Sequence, residues 1–123
     1  YFAENFGWQV VGAVQPSDFA DPTPSEVVTL IEQIRAEGVP TIFGSEVFPS
    51  SVLEEVGNET GVRYEQSLRD DDLPGAPGEE NHSWLGLMQY NFATMIEGLG
   101  GDASNVRAVD ITSPVSDTAD YPQ

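Results

Sequence analysis

Short apolar runs alternate with capped helical segments along almost the whole chain, and this alternation restricts the fold more than any other feature. Residues 9–14 (QVVGAV), Thr41-Ile42-Phe43, residues 62–68 and residues 106–111 (VRAVDI) are too short to be buried helices, so each is predicted to be a strand. Three helix signatures lie between them. Thr23-Pro24-Ser25-Glu26 has the form of a capping box with proline at the first helical position, and Val27, Leu30, Ile31 and Ile34 then recur at helical spacing until Gly38. Residues 50–60 carry Val52, Leu53 and Val56 on one side and stop at Gly61. Ser83 opens the third, whose stripe of Leu85, Met88, Phe92, Met95, Ile96 and Leu99 ends at Gly100-Gly101. Glu97 is the only charge in that segment, which predicts a largely buried helix. The order β-α-β-α-β-α-β predicts an α/β fold: a single three-layer lobe with a four-stranded, mostly parallel sheet flanked by helices. That lobe spans residues 1–111, and the polar residues 112–123, with Pro114 and Pro122, are expected to form a loosely ordered tail.

Charge narrows the partners. The 123 residues carry 21 Asp and Glu against Arg35, Arg63, Arg69 and Arg107, with no lysine, for a net charge of −17 at pH 7. No basic face can be assembled from four arginines scattered in this way, so nucleic acid and anionic membrane surfaces are excluded as partners. Such a balance fits a high-salt organism, where self-repulsion is screened, and equally an acidic secreted protein. The chain has no cysteine, which removes disulfides, thiolate metal sites and cysteine nucleophiles.

In an open parallel sheet functional groups collect just past the carboxyl ends of the strands, and acids occupy that edge here. Glu46 follows the second predicted strand, and Asp70, Asp71 and Asp72 follow the third. Carboxylates from separate loops can converge on one cation, and such hard oxygen donors suit manganese, magnesium or calcium. The competing reading is that a chain so rich in acids puts some on every loop, solvated and without a ligand. Residues 69–81 (RDDDLPGAPGEEN) are predicted to be irregular. They are not an EF-hand: Asp70 and Asp72 have the spacing of its first ligands, but Pro74 and Asn81 occupy later ligand positions. His82 is the only imidazole, so no catalytic triad can form around another histidine, and its place before Ser83 suggests a solvent-facing loop residue. Trp8, Trp84, Tyr90 and Phe92 are expected to pack in the core.

Several of these features occur together in a recognisable order. Tyr1-Phe2 precedes Phe6-Gly7-Trp8 and VVGAVQPS, then come a Pro-Ser-Glu helix start, Ile42-Phe43 with Glu46, an Asp-Asp-Leu turn, and Ser83-Trp84-Leu85 leading to Met88-Gln89-Tyr90-Asn91. In this the chain resembles, from Tyr1 to about Gly101, the C-terminal lobe of the zinc/manganese solute-binding proteins of ABC transporters, the TroA-like family. The resemblance implies an extracytoplasmic protein, periplasmic or anchored at the cell surface, with two lobes that hold one divalent metal ion between them. It implies an N-terminal lobe and an ABC permease as partners, no covalent chemistry, and capture of manganese, zinc or iron for import.

Family members use four ligands: two histidines from the N-terminal lobe, a histidine or glutamate at the start of the C-terminal lobe, and an aspartate in a later loop. The aspartate stands two positions before a leucine, which corresponds to Asp71 ahead of Leu73, with Asp70 and Asp72 as register alternatives. Glu46 matches a family glutamate that lies near the site. The third ligand would precede Tyr1, so the chain is expected to be a fragment with an incomplete metal site, or else a single-lobe relative that binds differently. The competing functional reading is a metal-dependent hydrolase or phosphotransferase of flavodoxin-like architecture that uses residues 70–72 to hold magnesium. It lacks a positioned base and any lysine to steady a phosphoryl group.

Overall fold

Helix starts are where this sequence speaks most directly, and the computed structural model, which describes residues 2–13, 23–45, 50–112 and 118, places them as the caps dictate. After a short α1 (Phe2–Asn5), helix α2 covers Pro24–Glu37. Thr23 accepts the Glu26 amide on its hydroxyl, while the Glu26 carboxylate accepts the Thr23 amide at 2.7 Å, so two orphan donors of the first turn are satisfied reciprocally. Gly38 ends the helix in the left-handed region at φ 62°, where a residue with a Cβ would be strained. Helix α3 (Ser51–Thr60) is capped by Ser50 and ended by Gly61 in the same conformation. Helix α4 (Trp84–Gly98) is capped by Ser83, whose hydroxyl accepts the Gly86 amide at 3.0 Å.

Strands β1 (Thr41–Ser45) and β2 (Arg63–Leu68) pair in parallel, with Thr41 opposite Arg63 and Ser45 opposite Leu68. Parallel pairing of consecutive strands needs a crossover, and the chain runs through α3 between them. The register slips by one residue between Phe43 and Ser45. A bulge of this kind leaves a strand amide without its ladder partner, and Glu65 supplies one: its carboxylate accepts from the Ser67 amide at 3.1 Å and from the Ser67 hydroxyl at 2.5 Å.

The chain divides into two compact units, Tyr1–Val39 with Ser50–Val62, and Pro40–Pro49 with Arg63–Gln123. In the first, α2 packs on α3, Ile34, Leu53 and Val56 are buried, and the Arg35 guanidinium donates to the Glu59 carbonyl at 2.8 Å. In the second, α4 packs on β2 and on the single turn α5 (Ser104–Arg107). Leu87, Ala93 and Ala103 are buried there, and the buried Thr41 hydroxyl donates to the Gly98 carbonyl. Gly98 has no room for a side chain, since a Cβ would stand 2.8 Å from the Phe43 ring.

The sheet is smaller than the sequence suggests. Among the described residues two strands pair, not four. Residues 9–13 have no ladder partner: Val10 is 70% exposed, and the Val11 carbonyl accepts from the Gln33 side chain instead. Residues 106–111 are diverted by the preceding turn, where Asp102 accepts the Ser104 amide at 2.8 Å and starts α5. The Gln89 amide then takes the carbonyls of Val106, Arg107 and Val109, so acceptors that a strand would present to a neighbour are already used. The buried-helix expectation for α4 holds at Gly86, Leu87, Ala93 and Gly98, but the predicted stripe itself is half-buried at Met88, Phe92, Met95 and Ile96 and exposed at Leu85 and Leu99, and Trp84, the first helical residue, is 64% exposed. Trp8, Tyr90 and Phe92 are half-buried. Of the 112–123 tail, residues 113–117 and 119–123 lie outside the described residues. Among the described residues no helix is long and apolar enough to cross a membrane.

Three outcomes follow for stability. Thr23→Ala removes the α2 cap and is expected to cost about 1 kcal/mol in urea unfolding. Gly98→Ala forces a methyl group against Phe43 and is expected to cost about 1–3 kcal/mol. Burial opposes ionisation of Glu65, but hydrogen bonds from Ser67 and the Arg63 guanidinium outweigh it and hold its carboxyl below the usual range. Its folded pKa is therefore depressed. The stability it contributes is present above the unfolded pKa and is lost as pH falls through the folded one. The urea midpoint should drop between about pH 6 and about pH 3, less steeply in Glu65→Gln, with exposed Glu26, Asp102 and Asp110 supplying a residual slope of the same sign.

Candidate functional site

Because β1 and β2 run in the same direction, their carboxyl ends lie side by side, and the chain leaves that edge as Arg69-Asp70-Asp71-Asp72. Glu46, which follows Ser45 in sequence, lies outside the described residues. The two strand ends meet through side chains: the Ser45 hydroxyl is 3.5 Å from the Asp70 carboxylate.

The three aspartates have different surroundings. Asp72 is half-buried, and its carboxylate receives the Arg69 guanidinium at 2.6 Å. Arg69 is the only arginine between Arg63 and Arg107, and the chain has no lysine. It also donates to the Leu73 carbonyl at 3.4 Å and sits over the Tyr90 ring, 5.3 Å from its centroid. Its charge is thereby committed to one carboxylate of the triplet. Asp70 is exposed and turned toward Ser45. Asp71 is exposed, and among the described residues its carboxylate has no hydrogen-bond or ion-pair partner. Among the described residues, the one of the three whose oxygens are uncommitted is thus the middle one.

The backbone that carries the triplet is held from α4. The Asn91 side chain accepts the Arg69 amide at 2.9 Å and donates to the Arg69 carbonyl at 2.8 Å, which fixes the last residue before the aspartates at both of its polar groups. Farther along, the loop folds on itself. Gly75 and Gly78 have φ of 74° and 89°, the Glu79 carboxylate accepts the Ala76 amide at 2.9 Å, and the His82 amide bonds the Glu79 carbonyl at 3.0 Å. His82 is consequently buried, at 5% exposure, with Nδ1 3.3 Å from the Gly75 carbonyl. The solvent-facing position expected from sequence is corrected, because the loop closes over the ring.

Chemically, the described part of this edge offers oxygen donors only. Asp71 and Asp70 are suited to a hard or borderline divalent cation, which the charge of −17 attracts. No group of three or more His, Cys, Asp or Glu among the described residues is arranged to hold a metal ion. Composition and spacing find the triplet but miss how it is divided. The signal available for that division was a lone arginine beside three acids, which must pair with one of them. The role of Asn91 had a weaker signal, an amide residue in the interior of a helix that otherwise reads as apolar.

Most of this chain is similar in sequence to known proteins. Manganese-binding lipoprotein MntA of Halalkalibacterium halodurans is 23% identical over 99 residues, which cover 80% of this chain and 33% of the relative. Manganese ABC transporter substrate-binding lipoprotein PsaA of Streptococcus pneumoniae serotype 4 is 24% identical over 99 residues, covering 80% and 32%. Metal ABC transporter substrate-binding lipoprotein ScbA of Streptococcus cristatus is 29% identical over 77 residues, covering 63% and 24%. The chain thus spans at most about a third of the length of these relatives. Residues 1–98 match the family described as zinc-uptake complex component A, periplasmic, and the chain belongs to that family.

Proposed function

We propose that this chain supplies one carboxylate ligand, Asp71, to a divalent transition-metal ion captured by an extracytoplasmic binding protein for delivery to an ABC permease. The metal is cargo, manganese or zinc, and the remaining ligands come from residues outside this chain, two of them on an N-terminal lobe. Residues 1–111 belong to the C-terminal lobe, with 112–123 as a tail beyond it. The observation that carries this reading is the division of the triplet: Asp72 is held by Arg69 and Asp71 is exposed and uncommitted at the shared end of two parallel strands. Family membership and the manganese or metal in the relatives' names support it. Asp70 and Glu46 act as neighbours that deepen the negative potential around the ion, and closure of the lobes on the metal couples capture to a conformational change. The hydrolase or phosphotransferase reading gains nothing from this edge. The chain has no lysine, and its one imidazole is buried against the Gly75 carbonyl.

Mn2+ is paramagnetic and broadens nuclear resonances close to it, so amide spectra of the chain locate where it binds. One carboxylate with acidic neighbours should hold Mn2+ with a dissociation constant on the order of millimolar, and broadening should centre on residues 70–72. Asp71→Ala should remove that centre, whereas Asp72→Ala should leave it in place. Broadening spread evenly over all acidic surfaces, or centred on residues 70–72 unchanged in Asp71→Ala, contradicts the assignment.

A further inference from the structure

A carboxylate can complete a metal shell only if the backbone beneath it leaves the sheet in a set direction. Past Leu68 the β1 and β2 ladder stops, and Arg69 is the first residue without a strand to hold it. Both of its backbone polar groups are taken by one side chain, Asn91, with the amide donating to Oδ1 at 2.9 Å and Nδ2 donating to the carbonyl at 2.8 Å. These are the two groups that a neighbouring strand takes from one residue in a ladder. A planar carboxamide is the side chain that presents one acceptor and one donor side by side, and pairing with one N–H and one C=O fixes which way it is turned.

The rest of α4 is built to hold that amide still. Tyr90, the adjacent residue, lies under the Arg69 guanidinium, so side chain and backbone of Arg69 are gripped by consecutive residues of one helix. Two residues earlier Gln89 holds the carbonyls of Val106, Arg107 and Val109, and Thr41 at the start of β1 donates to the Gly98 carbonyl near the helix end. The helix is therefore tied at several points along its length. Asn is a poor helix former, and its place in the interior of α4 is explained by this contact with the loop.

We infer that Asn91 is a positioning residue for metal capture: it substitutes for a missing strand, sets the direction in which Asp71 leaves β2, and links the ligand loop to α4. The inference rests on the reading of Asp71 as ligand, and it has a part that can be read without metal. In metal-free protein, hydrogen exchange at the Arg69 amide should accelerate in Asn91→Ala and stay slow in Asn91→Asp, which keeps the acceptor but loses the donor. With Mn2+, Asn91→Ala should need between about 10-fold and about 100-fold more ion to broaden residues 70–72. Thr23→Ala, which weakens a helix cap in the other compact unit, should need no more than the parent chain. Equal weakening by Thr23→Ala would reduce Asn91 to general stability and overturn the inference. Unchanged exchange at the Arg69 amide in Asn91→Ala overturns it whatever the metal does. Loss of protection in Asn91→Ala, together with Mn2+ binding that ignores Asp71→Ala, overturns instead the ligand reading beneath it, and with it any part for Asn91 in capture.

Discussion

Parallel pairing of β1 with β2 is the constraint on which the rest depends. Two strands that run the same way must end at the same edge, so the loops that leave them start from neighbouring points. Ser45 opposite Leu68 makes this explicit, and the contact between the Ser45 hydroxyl and the Asp70 carboxylate shows that side chains from both strand ends reach each other. An antiparallel pair would have sent the two loops to opposite ends, and no single cation could have drawn on both. The bulge held by Glu65 belongs to the same construction, because one extra residue in β2 reverses which face its last side chains address.

At that edge the governing interaction is between unlike charges in short supply. A chain with 21 acids and four arginines cannot pair most of its carboxylates, so where each arginine goes decides which acids stay available. Arg69 takes Asp72, Arg107 takes Glu97 at 2.8 Å, and Arg63 takes Glu65. Of these pairs the exposed one, Arg107 with Glu97, contributes little to stability, roughly 1 kcal/mol or less. Their consequence here is selection: Asp72 is held by Arg69, while among the described residues its neighbour Asp71 has no charged partner.

What could be read from the residues follows from the range of the forces involved. Caps act over three or four positions, and Thr23, Ser50 and Ser83 all begin helices as their local chemistry requires. The strands were less legible because an apolar run signals burial, while a strand needs a partner that local sequence does not contain. Residues 9–13 and the 106–111 run show the two ways this fails: a carbonyl taken by the Gln33 side chain, and carbonyls taken by Gln89. For the candidate site, the acids and their place after β2 were visible, and so was the family. The grip of Asn91 across 22 positions was not, since it arises only after α4 has packed on β2, and which of the three aspartates Arg69 takes depends on the turn the loop makes after Leu68.

Crystals of the chain soaked in manganese and measured at the manganese absorption edge would test the central claim most directly, because anomalous scattering locates the ion independently of any assumption about ligands. The account predicts the strongest peak within coordination distance of an Asp71 carboxylate oxygen, with Asp72 still on Arg69. A peak held by Asp72 after its release from Arg69, or ions on other acidic loops with Asp71 bare, would contradict it.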